Sequence, residues 1–119
     1  MNLEQLRQAG AFVDPAPVRE EVEWTHKTED GETVTEKFAV HVRRQSFGAV
    51  DRLFSSLDDR SRSAWLISQS VLLGPEAREQ FTYDDAYQLD PGLAYVLIDV
   101  INRVNTAKNS PPPTPSGTN

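Results

Sequence analysis

Tyr83-Asp84-Asp85-Ala86-Tyr87-Gln88-Leu89-Asp90-Pro91-Gly92-Leu93-Ala94-Tyr95-Val96-Leu97-Ile98-Asp99-Val100-Ile101-Asn102-Arg103-Val104-Asn105 carries two helix starts and one long apolar helix. Thr82-Tyr83-Asp84-Asp85 has the layout of a capping box, with Asp in place of Glu, and begins a short turn. Asp90-Pro91 places an N-cap acceptor before a residue that needs no amide hydrogen bond in the first turn. Leu93, Leu97, Val100 and Val104 then recur as a core stripe. Ala94, Val96, Ile98 and Ile101 widen the apolar arc to roughly 200°, against the ~100° that seats a helix on one core. Tyr95 and Ile98 fall at or beyond the edge of that arc. The surplus points to a protein that works by contact.

Upstream, residues 19–44 read as a β-hairpin. Val22 and Trp24 alternate with polar residues on one strand; Val34, Phe38, Val40 and Val42 do so on the other. Glu29-Asp30-Gly31 supplies the turn. A two-residue loop would set the apolar residues on opposite faces. A three-residue loop with Gly31 left-handed pairs Val22 with Phe38, and this register is expected. Residues 1–18 form an arm in which Leu3, Leu6 and Ala9 share a helical face, ended by Gly10 and Pro15-Ala16-Pro17. The arm is free to dock on the body or on a neighbouring subunit.

Between hairpin and last helix, Ser46 caps a helix with the stripe Phe47, Val50, Phe54 and Leu57. A second helix starts after Asp58 or Asp59 and runs to about Leu73, with Gly74 at its C-cap. Read as one helix it is apolar on every side: Ala64, Ile67 and Val71; Trp65 and Leu72; Leu66 and Leu73. Such a helix is either central in a core or covered by another chain, and both readings stay open. Pro75 to Gln80 reads as a further helical turn or two. Leu66, Leu73, Tyr95 and Ile98 lie outside the best core stripes and are the candidate partner or oligomer contacts.

The expected fold is therefore α+β: a mainly α-helical single domain over 19–105 with one N-terminal hairpin, an arm at 1–18, and a disordered proline-rich tail at 106–119. With 119 residues the chain forms one small domain, which leaves much of its surface exposed.

Composition narrows the chemistry. Net charge is −6, and seven acids fall between Glu20 and Glu36, so a phosphate backbone would be repelled. Nucleic-acid partners are not expected. Arg43-Arg44, Arg60 and Arg62, flanked by Asp51, Asp58 and Asp59, read as a solvated mixed surface. There are no cysteines, which removes disulfides, thiolate zinc sites and Cys nucleophiles. The apolar run Leu93–Ile98 is far short of a membrane span, and the N-terminus lacks a signal-peptide pattern, so no membrane partner is expected. His26 and His41 stand on opposite faces of the hairpin and read as surface residues, not as a metal pair. The acid pairs Glu20-Glu21, Asp58-Asp59 and Asp84-Asp85 fit caps and helix-dipole partners better than a catalytic dyad. Ser61, Ser63, Ser68 and Ser70 have no base nearby. No enzyme, cofactor or metal is expected.

The helix start Leu89-Asp90-Pro91-Gly92-Leu93-Ala94, the apolar helix after it and the ending Val100-Ile101-Asn102-Arg103-Val104-Asn105 resemble the C-terminal part of the tail assembly chaperones of long-tailed, siphovirus-type bacteriophages. The order of arm, hairpin, short helices and tail agrees with this. The resemblance implies binding of the tape measure protein during tail morphogenesis, in the host cytoplasm and outside the mature virion. It also implies self-association. In many such phages a frameshift yields a longer form that recruits tail tube protein. Ala107-Lys108-Asn109 can be encoded by GCA-AAA-AAC, which contains a slippery heptamer, so it marks the candidate frameshift position. The competing readings are a phage minor tail or head-tail connector subunit and a small acidic regulatory protein.

Overall fold

A computed structural model describes residues 1–14, 16–55 and 60–107. Its centre is the hairpin of β1 (Val18–Lys27) and β2 (Thr33–Val42). Val22 pairs with Phe38 and His26 with Val34, the register of the three-residue loop. The Thr28 amide donates to the Glu32 carbonyl at 2.9 Å, and Gly31 has φ +84°. Glycine adopts this left-handed geometry at no steric cost, and it matches the turn to the twist of the strands. Val22, Val40 and Val42 point inward and are buried.

The helices α1 (Leu3–Gln8), α2 (Phe47–Ser55) and α3 (Arg62–Ser70) follow the expected order, with one correction of extent. Helix α3 stops at Ser70, and Val71 is already extended at φ −104°, ψ 126°. Val71–Leu73 is a strand, β3, antiparallel to β2 through His41–Leu72 and Val42–Val71. The run Val-Leu-Leu fits either period, and the open edge of β2 decides it: strand pairing satisfies its backbone groups and buries Val71 and Leu72. The all-round apolarity of the longer helix was therefore two elements read as one.

Pro75–Gln80 is likewise no helix. It turns through Gly74 (φ +87°) into β4 (Glu79–Gln80), which completes a sheet in the order β1-β2-β3-β4. The α+β class stands, with two more strands than the hairpin alone. Gln80 Nε2 donates to the Ser68 carbonyl at 2.7 Å and ties the last strand to α3. Ser61, not Asp58 or Asp59, caps α3, its Oγ accepting from the Ala64 amide at 3.1 Å. Asp58 and Asp59 lie outside the described residues, as do Leu57 and the tail from Lys108 onward. Ser46 caps α2 as expected, but Phe47, the first residue of its stripe, is 86% exposed. Arg44 is buried rather than solvated, and His41 is half-buried.

Helix α4 (Tyr83–Tyr87) has the full Thr82–Asp85 capping box. Helix α5 (Pro91–Ala107) then crosses the hairpin, two residues longer than the folded segment read from the sequence. Leu97, Val100, Ile101 and Val104 meet Val22, Val40, Val42, Ile67 and Val71 in one buried cluster. Polar clamps hold α5 to β1 near both helix ends. Trp24 Nε1 donates to Asp90 Oδ2 at 3.2 Å, and Arg103 pairs with Glu20 at 2.9 Å. Asp90 Oδ2 also accepts from the Leu93 amide at 3.3 Å, so one carboxylate both caps the helix and anchors it to the sheet. Asp90→Ala is expected to lower the unfolding free energy by about 1–2 kcal/mol, the loss of an N-cap and a side-chain hydrogen bond. A urea titration checks this, with Arg103→Ala, a solvent-exposed ion pair, expected to cost under about 1 kcal/mol.

Candidate functional site

Three elements meet at an open trough. Its sides are the start of α3, the end of α4 and the first half of α5, and its volume is about 250 Å³. Ala64 and Ile67 of α3, Ala86 of α4 and Ala94 of α5 contribute small or buried surfaces, and Leu89 and Ile98 stand half-buried beside them. The capping boxes and N-caps place these pieces: Ser61 starts α3 at one wall, and Asp90-Pro91 starts α5 at the other.

Two tyrosines edge the trough, Tyr87 at 63% exposure and Tyr95 at 69%. Tyr87 is held by a stack of rings. Its ring lies 5.9 Å from that of Tyr83, at 30° between planes, and Tyr83 lies 5.5 Å from Trp65. The Tyr83 hydroxyl accepts from the Ser61 amide at 2.9 Å, and the Arg60 guanidinium sits 5.8 Å from the centres of both Tyr83 and Trp65. An aromatic rim beside a mainly apolar floor suits contact with another chain, because a tyrosine has few rotamers to lose on binding.

Of the four contact residues expected from sequence, the structure brings two together: Tyr95 and Ile98 share this trough. Leu66 and Leu73 stand elsewhere, half-buried against the core cluster. Leu73 also lines a smaller hollow at the β3–β4 turn with Pro75 and Glu79. Tyr87 and Leu89 line the same trough and are not among the contact residues expected from sequence. A spacing of four from Tyr83 to Tyr87 is the signal that marks Tyr87, but its value depends on the position of α5, which local pattern does not specify. A second open hollow, between α2 and α3, is lined by Gln45, Leu53, Trp65 and Gln69. Among the described residues it presents no charged pair or nucleophile with a base.

Among the described residues no group of three or more His, Asp or Glu side chains is placed to hold a metal ion. His26 bonds Glu36 at 3.2 Å and stacks on Trp24 at 4.0 Å. His41 sits at the far end of β2, opposite Leu72. No described helix is long and apolar enough to cross a membrane.

The model of the phage tail assembly chaperone family, TAC, matches residues 4–105. The chain belongs to that family. The match begins inside α1 and ends inside α5, so the resemblance first carried by the last helix extends across the sheet and the described helices of this tail assembly chaperone. No curated protein and no solved structure matches it. Membership of this family points to interaction with tail proteins, and the trough is one described surface open to another chain. At about 250 Å³ it lies below the roughly 300–1,000 Å³ of small-molecule pockets and is sized for a few side chains of another chain.

Proposed function

We propose that this chaperone binds the tape measure protein through the trough between α3, α4 and α5, acting as an oligomer in the host cytoplasm and staying out of the mature virion. The observation that carries the reading is the convergence of Tyr87, Tyr95, Leu89 and Ile98 on one open, mainly apolar surface. An amphipathic helix docks by laying residues spaced three and four apart into such a groove. The client offers many such helices, and repeated weak capture along it gains strength from copies that also hold each other.

Self-association has its own candidate surface. Helix α1 buries none of its residues, and Leu3, Leu6 and Phe12 are exposed. These are available to a second copy. The longer form is compatible with the fold as well. Helix α5 ends at Ala107, so a change of reading frame at Lys108 or Asn109 leaves every described element intact. An added domain would then follow the last helix and bring in tail tube protein.

Co-expression with the tape measure protein of the same phage tests the reading. The tape measure protein is expected in the soluble fraction with the chaperone and in the pellet without it, and mass spectrometry of purified virions is expected to lack the chaperone. Equal partitioning of the tape measure protein in both cultures overturns the proposal.

A further inference from the structure

Residues 108–119 follow α5, and their only apolar side chains are four prolines, Pro111, Pro112, Pro113 and Pro115. We infer that the trough is a polyproline-binding site and that this chain's own segment Pro112–Pro115 occupies it. Proline-rich segments favour the extended polyproline helix, which docks in grooves edged by aromatic rings. Tyr87 and Tyr95 supply such edges. Neither hydroxyl has a hydrogen-bond partner among the described residues, so both can donate to the exposed carbonyls of a bound segment. Three residues make one turn of that helix, so Pro112 and Pro115 present their rings on one side.

The reach agrees. At ~1.5 Å per helical residue, Ile98 lies ~14 Å back along α5 from Ala107, and Tyr95 lies ~18 Å back. If Lys108 and Asn109 reverse the chain, Pro112 stands ~9 Å and Pro115 ~19 Å along the return path at ~3.1 Å per residue. The two prolines therefore bracket Ile98 and bring Pro115 level with Tyr95. The path between runs past Asn102, which is exposed. Docking of the tail does not depend on what the client is. One consequence does rest on the proposed function: tail and client compete for the same surface.

Amide NMR spectra of the full chain and of a chain ending at Ala107 test the inference. Removing the tail is expected to move the resonances of Tyr87, Tyr95 and Ile98, and a peptide of residues 106–119 is expected to restore them. The peptide is added at about 1 mM, the order of effective concentration a short tether gives. Pro112→Ala with Pro115→Ala, substitutions outside the folded body, is expected to reproduce the truncated spectrum. Changes confined to the last turn of α5 overturn the inference. So do changes that grow with protein concentration, which make a second copy the occupant. A tape measure fragment is then added to both chains. If it moves no resonance in either while the tail effect persists, the client reading fails and the docking stands.

Discussion

Leu97→Ala is expected to remove about 3 kcal/mol of stability, within the roughly 2–5 kcal/mol range for truncating a buried leucine. Leu97 is 1% exposed and belongs to the cluster where α5 meets the sheet and α3. The lost methyl groups leave a cavity that the sheet closes poorly, because Val40 and Val42 in the same cluster are fixed by pairing with β1, and Val42 also by pairing with β3. A domain of this size has roughly 5–15 kcal/mol in total, so the variant loses a large share of its margin. Urea unfolding followed by circular dichroism measures it. Tyr95→Ala, two residues away on the same helix, is expected to shift stability by no more than about 0.5 kcal/mol, as for other surface positions. Equal losses in the two variants would mean that α5 is covered on both sides within the single chain.

That contrast also shows what local pattern can and cannot reveal. The hairpin register was legible because one glycine, Gly31, selects the loop length and the loop length selects the pairing. The starts of α2, α4 and α5 were legible because Ser46, Thr82 and Asp90 act on amides three residues away. The end of α3 was not. Val71, Leu72 and Leu73 satisfy a helical stripe and a buried strand equally, and the arbiter is the free edge of β2, thirty residues upstream. Reading them as helix made Leu66 and Leu73 look like leftover apolar surface, whereas the core absorbs part of both. Tyr95 and Ile98 are legible as surplus apolar surface because they lie on a long helix whose arc is measurable from spacing alone. Tyr87 is not, since its part in the trough needs α4 and α5 placed together, and two turns of sequence around Leu89 and Asp90 do not determine their angle.

Tyr95→Asp is expected to weaken capture of a tape measure helix about 30-fold or more while leaving the fold intact. A tyrosine that anchors a contact is worth about 2 kcal/mol or more on truncation, and 1.4 kcal/mol is a factor of ten in affinity. Aspartate adds a carboxylate that must lose water to enter an apolar contact, so the cost exceeds that of alanine. Because Tyr95 is 69% exposed, its replacement removes little that the core relies on. Ile98 is a poorer choice: it is half-buried against the core, so Ile98→Asp confounds binding with folding. Titration of a labelled client fragment, with the urea midpoint as the control, reads the two quantities separately. The chain already carries a net charge of −6, so an added acid could act through repulsion of an acidic client rather than through the trough. Tyr95→Lys separates these. Burial of the ring as the cause requires a comparable loss with lysine, whereas repulsion requires that lysine restore or improve binding. Unchanged affinity in both variants would place the client on another surface altogether.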